Sequence, residues 1–128
     1  MIRQVIKVED KWKVIVYYNI NYNLFNYVLD DVSLIIDDKY LIKRVYNTMK
    51  SRRAKGVTIS NPNYPISVVL FNTHKNKSDY INTIVHEAEH VKQAMLKYYD
   101  VDDEGEAPAY TIGFLVMKML QVAKKIVM

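Results

Sequence analysis

The sequence predicts an α+β domain, a small and largely antiparallel sheet covered by helices, with its last two helices meeting at a candidate metal site. Three observations support that class. Short β-branched and aromatic runs lie in the N-terminal half, apolar residues recur at helical spacing through the C-terminal half, and clusters of Asn, Pro and Gly punctuate the chain. With 128 residues, 50% of them hydrophobic, the chain is expected to fold as one domain over 1–128.

Trp12 to Tyr18 is β-branched and aromatic and reads as a strand. After an Asn-rich turn, Leu24, Val28, Val32 and Ile35 suggest a helix. Asp37 or Asp38 can cap a second helix carrying Leu41, Val45 and Met49, which Gly56 can terminate. Val57 to Ser60 and Ile66 to Phe71 are short apolar strands around the turn Asn61-Pro62-Asn63-Tyr64-Pro65. The second of these leads towards the next helix and is either the sheet edge open to an extended peptide or an interior strand. A Ser78-Asp79 pair opens a helix whose apolar stripe is Ile81, Ile84, Val85, Ala88, Val91 and Met95. Eleven tyrosines are many for this length and read as half-buried packing residues with wet hydroxyls.

His86-Glu87-Ala88-Glu89-His90 lies on that helix, and both histidines fall largely off the apolar stripe. Imidazoles four residues apart on a helix leave one face and can close on one zinc ion, and a glutamate beside the first can reach a water on that ion. Glu89 reads as a solvent-facing charge. A zinc site of the catalytic kind needs a third protein ligand and keeps its fourth position for water. A histidine six residues past His90 is absent, since Gln93 and Leu96 stand where Gly and His would be needed, so the ligand must be a carboxylate. The candidates are Asp100, Asp102, Asp103, Glu104 and Glu106. Pro108 fits a helix only in its first turn, which makes Gly105 the cap and Glu106 the first helical residue of a segment running to about residue 126. Glu106, Tyr110 and Gly113 would then share one face, with Gly113 a bare spot for packing against the histidine helix. The rival is a capping box from Asp103 to Glu106, and Asp103 or Glu104 stays open as the ligand.

His86, Glu87 and His90, followed by Gly105-Glu106-Ala107-Pro108-Ala109-Tyr110, resemble the gluzincin metallopeptidases, in which a glutamate is the third zinc ligand. The order of elements is similar to that of small zincin-like domains met in phages and mobile elements of gut bacteria. The resemblance covers nearly the whole chain in element order but is specific only in His86, Glu87, His90, Glu106, Ala109 and Tyr110. It implies a zinc-dependent peptidase-like hydrolase with His86, His90 and Glu106 as ligands and Glu87 as general base. Zinc would lower the pKa of its water to about 7, Glu87 would take the proton, and a peptide or protein substrate would be cleaved. Larger gluzincins supply a His or Tyr to the oxyanion from beyond the glutamate. Here that donor would be Tyr110 or a residue of the N-terminal half; His74, in the Asn72–Asn76 loop, reads first as an exposed residue and second as a further donor.

The absence of cysteine excludes disulfides and thiolate ligands and fits a reducing compartment. Residues 1–12 lack a signal-peptide core, and lysines interrupt the apolar run after Ile112, so cytoplasmic residence without a membrane span is expected. The net charge of +4 permits nucleic-acid contact without arguing for it. The basic run Lys50 to Lys55 reads first as a solvated helix end and second as a phosphate-binding strip. A binding module with a structural or vestigial zinc, docking to another protein, is the alternative from a different class. Nothing in the sequence sets the oligomeric state.

Overall fold

The computed structural model of the protein describes residues 1–127. Strands β1 (Ile2–Val8) and β2 (Trp12–Tyr18) lead through a 3-10 turn at Tyr22–Leu24 into helices α1 (Phe25–Val32) and α2 (Lys39–Lys50). Strands β3 (Gly56–Ser60) and β4 (Ile66–Phe71) follow, and then the long helices α3 (Lys77–Tyr99) and α4 (Glu106–Val127). The class is α+β as expected, but the sheet is mixed. Its order is β1-β2-β4-β3, with antiparallel outer pairs and a parallel central pair between β2 and β4. Two helices and β3 intervene between the central strands, so the chain re-enters the sheet in the direction in which it left.

That order decides what each strand buries. In β2 and β4 nearly every side chain is buried, the mark of a strand covered on both faces. One face packs Val14, Val16, Tyr18, Val69 and Phe71 against Tyr80, Ile84, Ala88 and Val91 of α3 and Leu115, Met119 and Ala123 of α4. The other packs Ile15, Tyr17, Val68 and Leu70 against Phe25, Val28, Val32 and Met49. The result is a sheet between two helical layers. Ile66 to Phe71 is therefore interior, and the free edge beside α3 belongs to β3. Tyr17, Tyr18 and Tyr80 are core residues, not half-buried ones.

Several local expectations change. β1 is a strand that was not expected: Gln4 on the face of the buried Ile6 and Val8, and Val5 on the exposed face, blur its alternation, while the outward charges of Arg3 and Lys7 suit an edge. Arg3 holds the buried Asp31 of α1 through two hydrogen bonds, and the Tyr17 hydroxyl donates to the same carboxylate. α1 ends at Val32, so Ile35 is buried from a turn and not from the helix. Asp38 caps α2 through the amides of Tyr40 and Leu41. Gly56 does not end α2, which stops at Lys50; it opens β3. Asn76, not the Ser-Asp pair, caps α3 by accepting from the Asp79 amide at 2.8 Å. α4 begins at Glu106 after Gly105 in the left-handed region, with Pro108 in its first turn.

Candidate functional site

α3 presents the motif as its helical period requires. His86 Nε2 and His90 Nε2 lie 3.2 Å apart, with their rings near perpendicular and 4.8 Å between centroids. Two nitrogens each about 2.0–2.1 Å from a tetrahedral zinc stand roughly 3.3 Å apart, so the spacing of the pair matches that of two ligands on one ion. The side chain of His86 is 68% exposed and that of Glu87 only 5%. Exposed imidazoles therefore sit beside a carboxylate held under the surface. Glu87 Oε2 is 3.9 Å from His86 Nε2, while Oε1 accepts a hydrogen bond from the Thr58 hydroxyl at 3.0 Å.

Of the two β3 residues that create this arrangement, Thr58 was not singled out in the sequence and Gly56 was read only as a helix terminator. Thr58 projects from β3 towards α3, and its hydroxyl also lies 3.3 Å from the Glu87 carbonyl oxygen. Gly56 allows β3 to come that close. A Cβ there would stand 3.0 Å from Thr83 Cγ2, 3.1 Å from Glu87 Cγ and 3.2 Å from the Phe71 ring. The alternation Gly56-Val57-Thr58-Ile59-Ser60, with Ile59 in the opposite core, was the available signal.

The acidic loop is drawn back onto α3. Asp103 accepts from Lys92 Nζ at 3.0 Å and from Gln93 Nε2 at 2.7 Å, and Glu89 accepts from the same two residues at 2.9 Å each. The Lys92 and Gln93 hydrogen bonds hold the Asp103 carboxyl below its usual range, and those from Gln93 and Lys92 do the same for Glu89. Asp103 is thus a tether for the loop, and Glu89 belongs to a four-residue clasp instead of facing solvent alone. Glu106 is exposed on the first turn of α4. Among the described residues, no group of three His, Cys, Asp or Glu side chains converges with metal-ligand spacing. The structure brings His86, His90 and Glu87 together and leaves Glu106 outside that cluster.

Tyr110 is 72% exposed and lines a cavity of about 460 Å³ with Met95, Leu96 and Tyr99 of α3 and with the β1–β2 turn. Met95 is nine residues past His86, about two and a half turns on, and so faces the opposite side of α3. The structure does not bring Tyr110 to the histidine face. Gly113 is exposed with nothing within 4 Å of a Cβ, so it is not a packing spot. The Lys50–Lys55 run is broken up, with Lys55 paired to Asp79 and Arg53 donating to Ser51. No helix among the described residues is long and apolar enough to cross a membrane.

His74 is not an exposed loop residue, and both of its ring nitrogens are engaged away from the histidine pair. It is buried and stacked on Tyr80 with ring centroids 4.1 Å apart. Its Nδ1 donates to the Asn72 carbonyl at 2.7 Å and its Nε2 pairs with the Thr83 hydroxyl at 2.8 Å. Burial pushes its pKa below the usual value, against the Asn72 carbonyl and Asp79, which raise it; Lys55 also lowers it. The unfolded chain then binds the proton more readily than the fold does. This contribution to stability is complete above about pH 6.5 and is lost as pH falls through the depressed folded value. Urea midpoints measured from pH 7.5 to 5 should fall less steeply in His74→Gln than in the wild type.

Comparison with protein-family models, with curated proteins and with solved structures finds no match for this chain.

Proposed function

We propose that the protein is a zinc-dependent, metallopeptidase-like hydrolase of peptide bonds. The observation that carries the reading is the 3.2 Å approach of His86 Nε2 to His90 Nε2 beside the buried, hydrogen-bonded carboxylate of Glu87. His86 and His90 would hold the ion, with a carboxylate from the α3–α4 connection as third ligand. Glu106 is favoured over Asp103, whose two oxygens are already engaged by Lys92 and Gln93. Zinc, when bound, supplies Lewis acidity towards a carbonyl and makes nearby water a better nucleophile at neutral pH. Glu87 takes a proton from the attacking water and returns it to the nitrogen as the C–N bond breaks. Its burial keeps bulk water from competing for that proton. The exposed histidine face leaves room for an extended chain, and cytoplasmic residence suits a protein without cysteine.

A second reading, a zinc-containing module that docks to another protein, is favoured by the cavity beneath Tyr110, which Met95, Leu96, Val101 and Phe114 make largely apolar. Metal analysis tests the first. About one zinc per chain should copurify with the wild type, and His86→Ala or His90→Ala should abolish it, since the remaining ligands cannot hold zinc against cellular buffering. A wild type that takes up no zinc from excess metal would end the hydrolase reading.

A further inference from the structure

Of the groups within reach of Glu87, one is on a different element and has no metal-binding chemistry of its own. Thr58 donates to Glu87 Oε1 at 3.0 Å from β3, which enters the sheet 29 residues earlier in the chain. Strand β3 is half-buried here and hydrogen-bonded to β4 along its whole length, with Thr58 opposite Val69. The donor is therefore mounted on the sheet and not on a loop. The missing side chain at Gly56 sets the distance between strand and helix, because any Cβ would press on Glu87 Cγ and Thr83 Cγ2. A Glu side chain has three rotatable bonds, and a buried one without a partner would have neither a fixed direction nor compensation for its lost hydration. Thr58 supplies both. It occupies one carboxylate oxygen and leaves the other turned towards His86 Nε2, 3.9 Å away.

We propose that Thr58 is the positioning residue for Glu87, fixing from the sheet which carboxylate oxygen faces the histidine pair. The catalytic consequence rests on the hydrolase reading; the orientation itself does not. A structural role alone would be expressed as stability, whereas positioning is expressed as the direction of one carboxylate. Thr58→Val keeps the β-branched shape and the strand preference but removes the donor, and Thr58→Ser keeps the donor but removes the methyl group.

Crystal structures of the metal-free wild type, Thr58→Val and Thr58→Ser provide the first arm. The Glu87 carboxylate should leave its place in the valine variant and keep it in the serine variant. Zinc content and hydrolysis of fluorescein-labelled casein provide the second. Zinc stoichiometry should be the same in all three proteins. In Thr58→Val, kcat should fall on the order of 10- to 100-fold with KM little changed, and Thr58→Ser should restore it. A carboxylate that stays in place in Thr58→Val overturns the proposal, and so does a serine variant that fails as the valine variant does. If the carboxylate moves but turnover is unchanged, the orienting role stands, its catalytic consequence is overturned, and the hydrolase reading is untouched. A wild type that binds no zinc or cleaves nothing overturns the hydrolase reading instead, and the crystallographic arm alone then decides whether Thr58 orients Glu87.

Discussion

Glu87→Gln should leave zinc bound and the helix folded while removing hydrolytic activity, with a loss on the order of 10²- to 10⁴-fold. The amide has the volume of the carboxylate and can still accept from the Thr58 hydroxyl through its oxygen, so the packing against Gly56 and Thr83 is preserved. It cannot accept a proton from water. The measurement is turnover of labelled casein by wild type and variant at equal zinc content. Equal behaviour of the two, with equal affinity for some partner protein, would give the question to the docking-module reading. Loss of zinc in the variant would make Glu87 a ligand and not a base, which its position behind the two exposed imidazoles argues against.

How much of this site was legible in the sequence follows the distance over which each part is specified. The histidine pair and its glutamate are fixed by local helix geometry, so their spacing alone predicted the facing nitrogens. The start of α4 was equally local, because Pro108 restricts it. What was not legible depends on tertiary placement. No pattern at Gly56 or Thr58 says which helix β3 will meet, and the chain that contains them offered only an alternation. Asp103 could be grouped with other acids, but its engagement by Lys92 and Gln93 requires the loop to fold back across a turn of α3. In the sheet, the unbroken apolar run Val68-Val69-Leu70-Phe71 carried the signal of an interior strand, while the parallel pairing behind it came from the crossover and left no local mark. His74 was misread because a loop position was equated with exposure; its neighbours on α3 bury it.

The largest effect on stability should come from a residue outside the motif. Asn72 is 3% exposed, and its Nδ2 donates to the carbonyls of Met49 at 2.9 Å and Ala54 at 3.0 Å, while its Oδ1 accepts from the Tyr22 hydroxyl at 2.5 Å. One side chain thus ties the end of α2, the approach to β3 and the 3-10 turn to the exit of β4. Asn72→Ala strands those three partners, at about 1 kcal/mol or more each, for a total of about 2–4 kcal/mol. For a domain of this size the midpoint of thermal unfolding should drop by roughly 10 °C. Asn72→Asp separates the donors from the shape. A carboxylate there would face two carbonyl oxygens with nothing to donate, so it should be at least as destabilising as alanine at neutral pH. Protonation would restore one donor, so the introduced acid's folded pKa should lie above its unfolded value of about 3.9. Unfolding then releases that proton, and the aspartate variant should recover relative to alanine as pH falls through the raised value. Thermal melts of the three proteins at pH 7.5 and pH 5 decide it, and an aspartate variant as stable as wild type at pH 7.5 would show that the donated bonds to Met49 and Ala54 are not what Asn72 contributes. Because the same bonds hold the segment leading into Gly56 and Thr58, the alanine variant should also loosen the strand that faces Glu87, coupling the fold's most connected polar side chain to the site it does not touch.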